Sequence, residues 1–177
     1  MFKRPKSKTV DLLRHPLIRE LTRLPLDRDD FVIFGSGPLL ACGIRDDISD
    51  LDVVVRKSAW DRVVRISRPS TGDISGAPTR CLETAHGRIE FSQKWIFDGW
   101  DTEDLIARSE IIGGLRFAPV DDVERYKLML IADEKLKRDK DEPDVAAIQE
   151  WRRDREQRGE AQPVESRATC IRPRFVG

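Results

Sequence analysis

The chain has 177 residues, which is enough for one globular domain but too short for two domains and a linker. Its 32 Lys and Arg residues balance 32 Asp and Glu residues, so no net charge draws the whole molecule to nucleic acid or to an anionic membrane. The 3 cysteines are far apart and form no CxxC pair, which argues against a zinc site and favours a cytoplasmic protein. No apolar stretch is long enough for a membrane helix, so we expect no membrane partner.

The first half of the chain predicts short helices that alternate with short strands. In chain order these are a helix opened by Pro16, a buried strand over residues 31–34, a short helix over 39–42 ended by Gly43, a strand over 51–55 and a helix from Ser58. Ser58 and Asp61 are spaced as a capping box for the last of these helices. Proline, glycine, serine and threonine crowd residues 68–78, which predicts a loop.

The second half predicts a hairpin and then mostly helices. In chain order these are strands over residues 79–85 and 88–95, a helix over 101–110, a turn and strand through 111–117, a helix over 121–137 and a helix from Pro143. Asp121 and Glu124 are spaced as a second capping box. The order predicts an α/β (α+β) fold in which helices flank one small mixed sheet. We expect an N-terminal arm and helix over residues 1–27, a main domain over 28–158 and an extended or disordered tail over 159–177.

Residues 31–55 contain the groups for which we predict chemistry. The first strand runs into Gly35-Ser36-Gly37 at the start of a short helix, where backbone N–H groups and the Ser36 hydroxyl suit a phosphate. Asp50 and Asp52 are two residues apart at the next strand, so their carboxylates point to the same side. Two carboxylates that face one point repel each other unless a cation lies between them, and Mg²⁺ also keeps positions open for phosphates. A surface turn is the alternative for this acidic pair; we favour the metal site because Asp52 adjoins three valines.

Glu90 is the candidate for a third acid because it lies between Ile89 and Phe91 on a predicted strand. An acid among core residues needs a partner, and the sequence leaves both the metal site and a salt bridge open. Glu83 on the other hairpin strand is the weaker candidate. Trp95 fits either stacking on a base or packing in the core, and we favour packing.

Two other nucleotide-binding motifs do not fit this segment. A dinucleotide-binding fingerprint requires glycine where Leu40 stands, and it would bring a long first helix and a parallel sheet. We expect a short helix and a mixed sheet instead. A phosphate-binding P-loop requires Gly-Lys-Ser/Thr, which is absent from the sequence.

Taken in order, Gly35-Ser36, Asp50-Leu51-Asp52 and Ile89-Glu90-Phe91 resemble the signature of the DNA polymerase β-like nucleotidyltransferase superfamily. Residues 114–127 and the Lys-Asp-x-x-Asp turn over residues 140–144 are similar to small bacterial members: minimal nucleotidyltransferases, abortive-infection toxins and antibiotic adenylyltransferases. The resemblance spans about residues 28–150. We expect the charged run over residues 135–144 to be a solvated helix end and turn, with one or two residues reaching the site.

The resemblance implies a Mg²⁺-dependent enzyme that moves a nucleotidyl group from a nucleoside triphosphate to a hydroxyl. It implies that three acids are catalytic and bind the metal, namely Asp50, Asp52 and Glu90. It also implies a nucleotide-binding set made of Gly35, Ser36, Gly37, Lys127 and Lys140. Lys127 also fits a core-facing helix position from which its amine reaches solvent. The acceptor is open among a protein, an RNA end and a small molecule. The alternative function is a non-catalytic nucleotide-binding or regulatory module of a toxin–antitoxin or phage-defence pair, in a bacterium or a phage.

Overall fold

The computed structural model describes residues 12–95 and 100–159, and a seven-stranded sheet lies at its centre. The strands in chain order are β1 Phe31–Phe34, β2 Asp50–Val55, β3 Arg68–Thr71, β4 Pro78–Thr84, β5 Gly87–Ser92, β6 Glu110–Ile112 and β7 Leu115–Phe117. Their order across the sheet is β3-β4-β5-β2-β1-β7-β6. The sheet is mixed, since β2 is antiparallel to β1 but parallel to β5.

Helices flank the sheet. In chain order they are α1 Pro16–Arg23, α2 Gly37–Ala41, α3 Trp60–Ile66, α4 Thr102–Ala107, α5 Val120–Ile131 and α6 Asp141–Gln157, with a 3₁₀ turn over Lys57–Ala59. The expected α+β fold is confirmed. The mixed sheet and the five-residue α2 also separate this fold from a doubly wound dinucleotide-binding domain, as the sequence predicted.

The two faces of the sheet bury separate apolar clusters. Period-2 alternation along β2 sends Leu51, Val53 and Val55 to one face, where α1 and α3 cover them. Val54 lies on the opposite face, in a cluster with Phe34 of β1, Leu105 of α4 and Tyr126 of α5. Asp50 and Asp52 have the same parity as Val54 and therefore lie on this second face. Burial of the neighbouring valines fixes the register that brings the two acids to one side.

Residues 68–71, predicted as a loop, form the edge strand β3. Arg68 pairs with Cys81 and Thr71 with Pro78, and an Arg68–Glu83 ion pair of 2.7 Å spans the two strands. Proline is tolerated on an edge strand, so Pro69 does not prevent pairing. The loop was predicted from the amino-acid composition of this segment alone. The strand forms because it pairs with β4, which begins ten residues later.

Neither predicted capping box forms. Ser58 lies within the 3₁₀ turn, and the N-cap of α3 makes no side-chain hydrogen bond. The N-cap of α5 is Pro119, while Asp121 and Glu124 both bind Arg152 of α6 at 2.8 Å. An ion pair with the neighbouring helix thus replaces the local cap. Helix α5 also ends at Ile131 rather than near residue 137.

The predicted N-terminal arm is only partly described, because residues 1–11 lie outside the described residues, as does the predicted tail from residue 160 onward. Leu17, Ile18 and Leu21 of α1 are buried in the first apolar cluster, so this helix packs against the main domain. Along the described ranges, no helix combines the length and apolar character that crossing a membrane requires.

Candidate active site

The acidic residues meet on adjacent central strands. Asp52 of β2 is the register partner of Glu90 on β5, and Asp50 is the partner of Arg88. Neighbouring strands lie about 4.8 Å apart, and directly paired residues project to the same face. Asp50, Asp52 and Glu90 are therefore brought together on one face, as the sequence predicted for their placement.

The glycine turn after β1 touches the Asp52 carboxylate. Gly35 has φ of 60°, and a Cβ at this position would lie 2.0 Å from Asp52 Oδ2. Only glycine allows the backbone both this conformation and this approach. A Cβ on Gly37 would lie 2.3 Å from Ile33 Cγ2, so the start of α2 is equally tight against β1. Ser36 is the N-cap of α2, is buried and makes no side-chain cap hydrogen bond.

Two of the three acids hold their protons more strongly than usual. Burial, followed by the charge of Asp50, raises the pKa of Asp52 to about 6. Burial, followed by the charge of Asp52, raises the pKa of Glu90 to about 7. Both carboxyls therefore titrate near neutral pH, which is the range of a useful acid or base. The same repulsion is what a cation at this face would relieve.

Three cationic side chains surround the acids. Lys140, in the turn before α6, places Nζ 3.7 Å from Asp50 Oδ2. Arg88 binds Asp73 at 2.8 Å from the hairpin side. Arg138 binds Asp141, and its guanidinium carbon lies 5.9 Å from the centre of the Tyr126 ring. Of the predicted nucleotide-binding lysines, Lys140 is therefore the one at the acidic face.

The donor set fits magnesium, although the described side chains do not form a ready-made cage. Within the described ranges, no three His, Cys, Asp or Glu side chains are grouped closely enough to hold a metal ion. Magnesium is usually bound by one or two carboxylates and completed by water and substrate phosphates. Asp50 and Asp52 supply such a pair, with the Gly35 backbone against Asp52. The predicted role of Glu90 as a third metal ligand stays a prediction.

A cavity of about 360 Å³ opens beside the acids. Asp52 and Glu90 line it, together with Ile74 and Ala77 of the loop over residues 72–77. Trp95 also lines the cavity, and it stacks on Phe34 with ring centroids 4.1 Å apart. This volume is at the small end of the range for ligand sites, which is about 300–1,000 Å³.

Lys127 and Glu83 form ion pairs with other side chains, and neither lines the cavity. Lys127 Nζ is buried between Asp141 at 3.1 Å and Asp144 at 2.7 Å, and Arg45 binds Asp144 at 2.6 Å. The Lys127 side chain is 1 % exposed. Its charge is thus matched within the protein, and its predicted contact with a nucleotide stays a prediction. Glu83 is exposed and binds Arg68.

Several residues of the site were not identified from the sequence. They are Thr79, Arg88, Tyr126 and Arg138, all of which line the cavity. Thr79, Arg88 and Glu90 share a strand face through the β4–β5 pairing, and alternation along the hairpin would have indicated this had its register been known. Arg138 lies in the charged run from which one or two residues were expected to reach the site. Trp95 is buried, as favoured, and it also borders the cavity.

Comparison with known proteins adds one similarity in structure. The sequence matches no protein-family model, and its comparison with curated protein sequences gives no match. A crystal structure of JHP933 from Helicobacter pylori is similar over 78 % of this chain, with 19 % sequence identity and a TM-score of 0.41. The chain spans 60 % of the length of that protein.

Proposed function

We propose that the protein is a Mg²⁺-dependent nucleotidyltransferase that moves a nucleotidyl group from a nucleoside triphosphate to a hydroxyl. The observation that carries the proposal is the contact between the Gly35 turn and Asp52, with Glu90 beside Asp52 on the next strand. Nucleotidyl transfer requires a phosphate-binding backbone next to charge-neutralising groups, with a base on the acceptor side. These elements occur here in the order given by the sequence resemblance.

Asp50 and Asp52 would hold the metal, since they share a face and repel each other in its absence. When bound, Mg²⁺ would neutralise charge on the phosphates during transfer. The backbone at Gly35 and Ser36 would hold the phosphates that leave, and Lys140 lies close enough to Asp50 to reach them. Each of these residues binds or orients the triphosphate.

Glu90 would take the proton of the acceptor hydroxyl. Burial and the charge of Asp52 raise the pKa of Glu90 to about 7 in the metal-free protein, and a cation on Asp52 would favour the ionised form that accepts a proton. The hydroxyl oxygen forms a bond to the α-phosphorus, and the bond from that phosphorus to the bridging oxygen breaks. Pyrophosphate leaves with the electron pair, while the hydroxyl proton passes to Glu90 and then to solvent.

A label-transfer experiment tests the proposal. The protein is incubated with each of the four α-³²P-labelled ribonucleoside triphosphates, Mg²⁺ and a bacterial extract. We expect label in an acceptor fraction with the wild type, and no transfer with Asp50→Asn or Asp52→Asn. Asp46→Asn is the matched control, because Asp46 is an exposed acid on the loop before β2.

Transfer that persists undiminished in both Asn variants would contradict the assignment of the acids. A nucleotide-dependent rise in melting temperature without transfer from any triphosphate would favour the non-catalytic module instead.

A further inference from the structure

Two of the residues that line the cavity beside the acids have buried polar groups to which the described part of the chain offers no partner. Thr79 is 7 % exposed and Trp95 is 6 % exposed. Among the described residues, neither Thr79 Oγ1 nor Trp95 Nε1 has a hydrogen-bond partner. Leaving a buried polar group unpaired is unfavourable, so such groups are found where a ligand or water completes their hydrogen bonds.

The two groups differ in chemistry. The indole N–H only donates, whereas the Thr79 hydroxyl both donates and accepts. A ligand that satisfies both must carry an acceptor for Trp95 and a second polar atom for Thr79. Ile74 and Ala77 line the same cavity, so the ligand also needs an apolar surface. A flat heterocycle with polar edges and apolar faces meets these requirements, and a nucleobase is such a group.

The position of the cavity relative to Asp52 decides which substrate it serves. Strand β2 separates β1 from β5, so the Gly35 turn lies on one side of Asp52 and Glu90 lies on the other. In phosphoryl transfer the attacking and leaving oxygens lie roughly in line. If the leaving pyrophosphate is held at the Gly35 turn, the attacking hydroxyl comes from the side of Glu90. Most of the residues that line the cavity belong to β4, β5 and the loop between β3 and β4, on the Glu90 side of β2, and the lining includes no residue of the Gly35 turn.

We propose that this cavity binds the nucleoside that carries the acceptor hydroxyl, with Trp95 and Thr79 contacting its base. The inference rests on the proposed function and narrows the acceptor to a nucleoside. A free nucleoside and the 3′ end of an RNA share this chemistry. Asp52 and Glu90 line the same cavity as Thr79 and Trp95, so a nucleoside held by its base would present its ribose hydroxyls to these acids.

Binding is tested first by the indole resonances of the ¹⁵N-labelled full chain. The chain has 4 tryptophans, and the indole signal missing from Trp95→Phe identifies Trp95. Adenosine, guanosine, cytidine and uridine are added separately at millimolar concentration. We expect at least one nucleoside to shift the Trp95 signal while that of Trp151, on α6, stays in place. No shift with any of the four would overturn the proposal.

Kinetic measurements then show whether the cavity binds the acceptor or the triphosphate. In the label-transfer assay with short RNA acceptors, Thr79→Val should raise the KM for the acceptor by roughly two- to tenfold, as expected for one lost hydrogen bond. Thr79→Ser should retain the wild-type value, and Thr71→Val, on exposed β3, is the matched control. A higher KM for the triphosphate with an unchanged KM for the acceptor would instead place the base of the triphosphate in the cavity and refute the proposal.

Two further arms identify the source of the nucleoside and isolate this inference from the proposed function. An RNA with a 3′-phosphate should not accept label, whereas the same RNA with a free 3′-hydroxyl should accept it. Label on free nucleosides but not on RNA would show that the cavity binds a free nucleoside rather than an RNA end. Label that goes only to protein, and is lost in Asp52→Asn, would overturn the nucleoside inference and leave the nucleotidyltransferase proposal standing.

Discussion

Replacing Asp52 with Asn should stabilise the metal-free protein at pH 8. An acid whose pKa is higher in the folded chain than in the unfolded chain binds its proton more tightly when folded. The contribution of Asp52 to the free energy of unfolding is therefore most favourable below the pKa of the unfolded chain, about 3.8. This contribution is lost as pH rises through the pKa of the folded chain, about 6. At pH 8 the carboxylate is charged, partly buried and next to Asp50, and Asn removes that cost.

The magnitude follows from the size of the shift. A rise of the Asp52 pKa from 3.8 to about 6 corresponds to about 3 kcal/mol of free energy, since a tenfold change in proton affinity is about 1.36 kcal/mol. Asp52 is half-buried rather than fully buried, so solvent screens part of its charge and we expect a gain of about 1–2 kcal/mol. For a chain of this size that is a rise of about 3–6 °C in melting temperature.

The assay is calorimetric melting at pH 5 and pH 8 in the presence of a chelator. Asp52→Asn should melt above the wild type at pH 8, and the difference should shrink at pH 5. Adding Mg²⁺ at pH 8 should raise the melting temperature of the wild type but not that of the variant. Asp46→Asn should behave as the wild type throughout. A variant that melts at or below the wild type at pH 8 would refute the reasoning that Asp52 carries a repelled, desolvated charge.

Three other changes have defined outcomes. Gly35→Ala should lower the Mg²⁺-induced melting shift and the free energy of unfolding in urea, because its Cβ collides with the Asp52 carboxylate; unchanged values would disprove the contact. Lys127→Met should lower the free energy of unfolding, measured in urea, by about 3 kcal/mol. Lys137→Met, at an exposed position, should lower it by less than about 1 kcal/mol, and equal losses would contradict the buried ion pairs of Lys127. The wild-type kcat/KM for transfer should rise with pH through a midpoint no higher than about 7, because Mg²⁺ on Asp52 lowers the pKa of Glu90, and Glu90→Gln should flatten that rise; an unchanged profile would remove Glu90 as the base.

The central strands and their acids were predictable because the signals are local. Four consecutive apolar residues define β1, and three valines define β2 and fix the side to which Asp50 and Asp52 point. The glycine turn lies between them in sequence. The α+β class follows from the same patterns, and the structure confirms it.

The cavity was not predictable, because it depends on pairings between distant segments. Thr79 reaches the acidic face only through the register of β4 on β5. Tyr126 comes from α5 and Arg138 from the segment between α5 and α6, both more than 70 residues after β2 in sequence. The two capping boxes failed for a related reason, since residue spacing does not reveal that Arg152 competes for Asp121 and Glu124.

The buried charge cluster at the start of α6 also sets when the site can assemble. Arg45 and Asp144 are separated by 99 residues and bond directly, and Lys127 binds both Asp141 and Asp144. Lys140 therefore reaches Asp50 only after this late helix has docked. During synthesis, the complete site cannot form until residue 144 has emerged from the ribosome. The acidic face and its lysine should thus come together as one of the last steps of folding.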